Sequence, residues 1–143
     1  FGKLTGVLMN EVVPGGRGFP PPGFCKNLKL LIFDVDGVLT DGRIVMDANG
    51  LESKFFDVRD GTAMKWLARN GLPSALLSGR ASPVVEHRAK ELGISPERVR
   101  QGAKQKLPVY LEMLGALNVK EEETAYVGDD LLDVPILLRA GLP

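Results

Sequence analysis

Three short apolar runs divide the chain, and each closes on a polar turn that contains glycine. Leu28-Lys29-Leu30-Leu31-Ile32-Phe33 ends at Asp34-Val35-Asp36-Gly37, Ala75-Leu76-Leu77 ends at Ser78-Gly79-Arg80, and Thr124-Ala125-Tyr126-Val127 ends at Gly128-Asp129-Asp130. Nearly continuous apolar runs of this length predict strands buried on both faces of a parallel sheet. Between the first two runs, Arg43–Met46 and Leu51–Phe56 are expected to pair as short strands around Asp47-Ala48-Asn49-Gly50, because Asn-Gly is a strong hairpin signal. Ala63, Met64, Trp66 and Leu67 have helical spacing, which predicts a helix over Thr62–Asn70 stopped by Gly71. Ser82-Pro83 marks the start of a second helix running to Leu92-Gly93. A third is expected after Pro108, including Tyr110, Leu111, Leu114 and Leu117, and a last one over about Val134–Arg139.

Strands alternating with helices predict an α/β fold: a Rossmann-like parallel sheet with helices on both faces and a small β-hairpin insert after the first strand. Residues 1–27 hold six Gly and four Pro and are expected to form an irregular arm or linker, with the domain occupying residues 28–143. In such sheets, ligands bind beyond the carboxyl ends of the strands. Asp34, Ser78 and Asp129 all fall at such ends, so three distant segments are expected to converge on one crevice.

Composition narrows the function without deciding it. The chain has 143 residues, the size of one domain, and its formal charge is zero, so nothing draws it generally toward nucleic acid or an anionic membrane. Cys25 is the single cysteine, which excludes an internal disulfide and fits a cytoplasmic setting. No apolar run approaches the roughly 18 residues of a membrane helix, and Phe1–Asn10 lacks the pattern of a signal peptide.

The chemistry concentrates at the strand ends. Asp34 and Asp36 are two apart in an extended segment, so they face the same way. One carboxylate can attack phosphorus while the other moves protons, and a hard cation, most simply Mg²⁺, can sit with them. Asp36-Gly37 also reads as a plain turn former. Ser78, Gly79 and Arg80 can hold phosphate oxygens through a hydroxyl, backbone N–H groups and a guanidinium, and Arg88 can bind carboxylate or phosphate if it does not simply lie on a solvated helix face. Lys104 or Lys106 can balance the charge of an aspartate and a phosphate. Asp129 is placed to ligate a metal, with Asp130 and Asp133 acting directly or through water, unless the cluster only caps the next helix. His87 is the only histidine and lies between Glu86 and Arg88 on an expected exposed face.

Together these segments resemble the haloacid dehalogenase-like phosphatases. Asp34-Val35-Asp36-Gly37-Val38 looks like the first motif, Ser78 the second, Lys106 the third and Gly128-Asp129-Asp130-Leu131-Leu132-Asp133 the fourth. The resemblance implies Asp34 as nucleophile, Asp36 as general acid/base, and Mg²⁺ held by Asp34, the Asp36 backbone carbonyl and Asp129. Within the family, the match is nearest to capless sugar-acid phosphatases acting on 3-deoxy-D-manno-octulosonate 8-phosphate, in a step toward lipopolysaccharide. It rests on Asp36–Gly42, Val58–Gly61, Ser78–Arg80, Glu86–Ile94, Gln101-Gly102 with Lys106, and Ala125–Asp130. It implies that Arg59, Asp60, Gly61, Arg80 and Arg88 lie near the substrate, and that the chain stops at Gly141–Pro143 short of the family's final strand and tail. Ser78 stands where threonine is commoner, which keeps the hydroxyl.

Spacing adds a further expectation. Asp36 to Ser78 leaves room for a hairpin and one helix, and Ser78 to Lys106 for a helix and a short strand, so no cap domain fits in either place. Some other body must cover the crevice. The hairpin near Asn49-Gly50 is the candidate contact, and the resemblance implies a homotetramer. Two other readings stay open: a phosphatase for a nine-carbon sialic-type acid 9-phosphate, and a non-catalytic oligomerisation domain of a sialic-acid cytidylyltransferase.

Overall fold

The computed structural model describes residues 25–143. The arm expected over residues 1–27 therefore lies outside the described residues except for Cys25–Asn27, an exposed turn in which the Cys25 carbonyl accepts from Leu28 N at 3.2 Å.

Four parallel strands form the sheet: β1 (Leu30–Phe33), β4 (Ser74–Leu77), β5 (Val99–Arg100) and β6 (Thr124–Val127), in the order β5-β4-β1-β6. Leu31 pairs with Ser74 on one side of β1, and Leu30 pairs with Thr124 on the other. Period-two alternation sends Leu30 and Ile32 to one face and Leu31 and Phe33 to the other. On the first face Leu30, Ile32, Ala75, Leu77 and Tyr126 pack with α3 (Lys106–Leu117) and α4 (Val134–Leu137) through Tyr110, Met113, Leu114 and Ile136. On the second, Phe33, Val35 and Leu76 pack with α1 (Val58–Arg69) and α2 (Pro83–Leu92) through Met64, Val85 and Ala89. Each large side chain buried this way contributes about 1.5–3 kcal/mol of transfer free energy. The expected sheet with helices on both faces is thus the observed one.

The crossovers out of β1 run first to β4 and β5 on one side, then back to β6 on the other. The carboxyl end of β1 is therefore the switch point of the sheet, where connections leave in opposite directions and open a crevice. The connection from β1 to β4 holds only the hairpin of β2 (Val45–Met46) and β3 (Glu52–Ser53) followed by α1. That from β4 to α3 holds α2, a short 3₁₀ turn and β5. Neither contains a further domain. At the end of the chain, Leu142 forms a parallel bridge with Ala125 on the free edge of β6.

Several elements differ in extent from expectation. The hairpin strands are two residues each, not four and six. Helix α1 starts at Val58 instead of Thr62, because Asp57 caps it: its carboxylate accepts from Arg59 N at 2.8 Å. Helix α3 starts at Lys106, so Pro108 lies inside its first turn, where no N–H is needed. The inner face of α3 follows Lys106, Tyr110, Met113 and Leu114, while Leu111 points outward. Trp66 is exposed on α1. Helix α4 is a single turn. Among the described residues no helix is long and apolar enough to cross a membrane.

The Arg59 side chain and backbone N–H hold the Asp57 carboxylate well below the usual carboxylate range. Its folded value lies below the unfolded one, so the cap's contribution is complete above about pH 4 and is lost as pH falls through the lower folded value. Asp57→Ala is expected to lower the thermal midpoint by a few degrees at neutral pH. The gap from wild type, followed by circular dichroism, should narrow below about pH 4.

Candidate active site

A crevice of about 470 Å³ opens at the switch point, lined by Asp34, Asp36, Gly37, Gly42, Ser78, Gly79, Arg80, Lys104, Lys106, Asp129, Asp130 and Leu132. Its floor is a buried charge cluster. Asp34, one residue past β1, is 5% exposed, and its Oδ2 lies 2.8 Å from Lys106 Nζ. The same Nζ donates to Asp133 Oδ1 at 2.7 Å. Asp133 is fully buried: Oδ1 also accepts from Tyr126 OH at 2.5 Å, and Oδ2 accepts from Asp130 N at 3.0 Å. The first residue of α3, the end of β1 and the turn before α4 are thus tied together by one ammonium group.

Burial pushes the Asp34 carboxyl up from its ordinary value, against the pull of the lysine. Burial would lower Lys106, but hydrogen bonds to Asp133 and Asp34 outweigh it and raise its value, so the ammonium keeps its charge. Asp129 is also raised, first by burial and then by the nearby Asp133 charge. Burial, then the hydrogen bond to Asp133, pushes the Tyr126 phenol up, so it remains a donor.

Carboxylate oxygens of Asp34, Asp129 and Asp133 lie within 4.8 Å of one another. An all-oxygen, acid-rich donor set of this kind fits a hard divalent cation. Gly37 shapes the same place. Its φ is +89°, and a Cβ there would come within 1.8 Å of Asp129 Oδ2, so backbone conformation and close approach both require glycine.

Above this floor stands a second charge cluster. Lys54, on the segment after β3, pairs with Asp36 Oδ1 and lies 3.4 Å from Glu52 Oε1. Arg80 Nη2 donates to the same Glu52 oxygen at 2.6 Å, and its Nε lies 3.9 Å from Asp36 Oδ2. Ser78 is buried at the end of β4, with its hydroxyl oxygen accepting from Arg80 N at 3.2 Å. Lys104 reaches the crevice from an exposed loop position.

Of the residues singled out from sequence, Asp34, Asp36, Ser78, Gly79, Arg80, Lys106, Asp129 and Asp130 line this crevice, and Asp133 supports its floor. Arg59, Asp60, Gly61 and Arg88 do not line it. Arg59 lies on the outer face of α1, paired with Asp57 at 2.5 Å. Asp60 and Arg88 border a small separate cavity with Phe56, Asp57 and Leu92. Arg88 donates to Glu91 at 2.9 Å, stacks over the Phe56 ring at 5.6 Å and reaches the Asp57 carbonyl at 3.4 Å. Gly61 is a packing residue, since a Cβ there would meet Arg88 Nη2 at 2.6 Å. This group joins α1 to α2.

Lys54 and Tyr126 escaped the sequence reading. The signal for Lys54 was the alternation of Leu51–Phe56, which puts Glu52, Lys54 and Phe56 on one side of an extended segment. For Tyr126 it was a phenol in a buried strand, which needs a hydrogen-bond partner.

A parallel sheet with an acid-rich crevice at its switch point defines the class. The chain belongs to the haloacid dehalogenase-like hydrolases, whose family model matches residues 55–141. It is 43% identical over 116 residues to the 3-deoxy-D-manno-octulosonate 8-phosphate phosphatase KdsC of Yersinia pestis, covering 81% of this chain and 61% of that protein. Among solved structures it resembles the 3-deoxy-D-manno-octulosonate 8-phosphate phosphatase of Moraxella catarrhalis in complex with magnesium ion, phosphate ion and KDO. There the identity is 40% and the TM-score 0.78, with 82% of this chain and 67% of that chain covered. The cobalt-bound Haemophilus influenzae deoxy-D-mannose-octulosonate 8-phosphate phosphatase YrbI gives 41% identity and a TM-score of 0.77, covering 82% and 68%. The chain spans 61% of the length of the curated relatives it matches.

Replacing Lys106 with methionine leaves Asp34 and Asp133 buried without their cation. Lys106→Met is expected to destabilise the fold by about 3–5 kcal/mol in urea titrations with chelator at pH 8. Burial raises the Asp34 value in the folded state, so the loss should shrink as the pH falls and that carboxyl takes up a proton.

Proposed function

We propose that this protein is a Mg²⁺-dependent phosphatase for a sugar-acid phosphate, 3-deoxy-D-manno-octulosonate 8-phosphate, working through an aspartyl-phosphate on Asp34, with residues 28–143 as its phosphatase domain. The observation that carries the reading is the pairing of a buried carboxylate, held by Lys106, with a second carboxylate two residues on that opens to the same crevice. The similarity to the Yersinia pestis and Moraxella catarrhalis phosphatases supports the choice of substrate.

In this reading Asp34 attacks phosphorus and Asp36 gives its proton to the departing sugar oxygen. Asp36 then takes a proton from water as that water attacks the phosphorus of the acyl phosphate, which releases inorganic phosphate and restores Asp34. Ser78 and the backbone at Gly79 hold the phosphate oxygens, with Arg80 beside them. Lys106 keeps Asp34 oriented and balances its charge. Asp34, the Asp36 carbonyl and Asp129 would hold the cation, which when bound neutralises phosphoryl charge. Asp133 orients Lys106, since its oxygens already accept from Lys106, Tyr126 and Asp130.

The exposed apolar residues Ile44, Met46, Leu51 and Phe55 of the hairpin segment, with Val58 and Trp66 of α1, suit a subunit contact. We propose a homotetramer built on this face. A purely structural oligomerisation domain would share that face, but it has no use for Asp34, Asp36, Lys106 and Asp129 in one crevice.

Phosphate release from 3-deoxy-D-manno-octulosonate 8-phosphate is expected to require Mg²⁺, to exceed that from a nine-carbon sialic-type acid 9-phosphate, and to fall about a thousandfold or more in Asp34→Asn. Activity surviving in that variant would remove Asp34 as nucleophile. No release from any phosphate ester by folded wild type would favour the structural domain. Phe55→Asp is expected to dissociate the tetramer, read as a drop in mass by light scattering.

A further inference from the structure

The hairpin segment carries a buried cation to which the proposed reaction gives no task. The Lys54 side chain is 1% exposed, deeper than any other charged side chain of the second cluster, yet it comes from the surface hairpin and not from the sheet. Extended backbone from Leu51 to Phe56 alternates strictly between outward and inward positions. Leu51, Ser53 and Phe55 face out. Of the inward residues, Glu52 meets Arg80, Lys54 meets Asp36, and Phe56 lies under Arg88. Two-residue strands hold little by themselves, so these inward side chains are what seats the hairpin.

The contacts close into a circuit. Asp36 Oδ1 pairs with Lys54, Lys54 with Glu52, Glu52 with Arg80, and Arg80 Nε returns to Asp36 Oδ2 at 3.9 Å. Two acids and two bases balance, so the circuit adds no net charge to the crevice. Asp36 is one-quarter exposed, and a carboxylate in such a place turns freely unless an oxygen is fixed.

We propose that Lys54 is the positioning residue for Asp36: it fixes one carboxylate oxygen from the hairpin so that Asp36 faces the reacting oxygen in the crevice. The inference rests on the reading of Asp36 as the proton-transfer group. Misplacing such a group by about 1 Å costs on the order of a hundredfold in rate. The seat of the hairpin then enters the rate of proton transfer, although no hairpin residue touches phosphorus.

The test compares two esters in wild type, Lys54→Met, Lys54→Gln and Lys54→Arg. A sugar alkoxide needs a proton as it departs, whereas p-nitrophenolate does not. Lys54→Met is therefore expected to lose about 30-fold or more in kcat/KM on 3-deoxy-D-manno-octulosonate 8-phosphate and several times less on p-nitrophenyl phosphate, because kcat/KM reports departure of the leaving group and not the later acyl-phosphate hydrolysis that both esters share. Lys54→Arg should recover most of the loss, and Lys54→Gln serves if the methionine variant does not fold. Equal losses in kcat/KM on both esters, or kcat/KM within about threefold of wild type on the sugar phosphate, would overturn the proposal. Crystal structures of wild type and Lys54→Gln give a readout independent of turnover: the Asp36 carboxylate is expected to swing away from the crevice in the variant. An unmoved Asp36 overturns the positioning. If wild type hydrolyses neither ester, the phosphatase reading fails by itself, and a displaced Asp36 still supports Lys54 as its anchor.

Discussion

One ammonium group lies between two buried carboxylates, and much of the structure is arranged around it. Lys106 Nζ is 2.8 Å from Asp34 and 2.7 Å from Asp133, with all three side chains almost fully removed from water. Burying any one of these charges alone is costly, and burying them together is tolerable only when the remaining lone pairs find donors. Tyr126 OH and Asp130 N supply them for Asp133, and Val35 N supplies one to Asp34. The partners come from β1, β6, the turn before α4 and the start of α3, so the sheet cannot shift at its switch point without breaking the cluster. The fold also holds the Asp129 carboxylate beside Asp34 and Asp133 against their repulsion, which makes the same place a seat for a cation.

The hairpin segment meets a different constraint. Its outward side chains are mostly apolar and exposed, while its inward ones are charged or aromatic and engaged. That is the reverse of an ordinary surface hairpin, where apolar residues face the domain. An apolar outer face calls for another protein surface, and a charged inner face fastens the hairpin to the crevice. One short element thus joins an exposed apolar face with the carboxylate of Asp36.

The parts legible in the sequence were those with a local cause. Continuous apolar runs marked β1, β4 and β6, and Ser82-Pro83 and Gly93 marked both ends of α2. The crevice residues Asp34, Asp36, Ser78 and Asp129 were legible because each follows a buried strand, and strand ends converge in a parallel sheet. Placements that the local pattern does not show have identifiable reasons. Arg59 and Gly61 sit in a conspicuous charged stretch, but Asp57 caps it into the first turn of α1, and Gly61 is glycine to admit Arg88. Leu111 fits a helical spacing as well as Met113 does, and only the position of the sheet selects Met113. Lys54 is an unremarkable lysine until the hairpin folds over the crevice.

By itself, the sequence determined the class of sheet, its buried strands and the acids at the strand ends, because hydrophobic period and turn chemistry act over a few residues. Tertiary structure decided the strand order, the pairing of Lys106 with both Asp34 and Asp133, and the role of the inward hairpin face. Those depend on the distance between segments 18 to 99 residues apart in sequence, such as Asp36 with Lys54 and Asp34 with Asp133. In water such charges have no reason to meet. They are brought together only after the two apolar layers fix the sheet and exclude solvent around it.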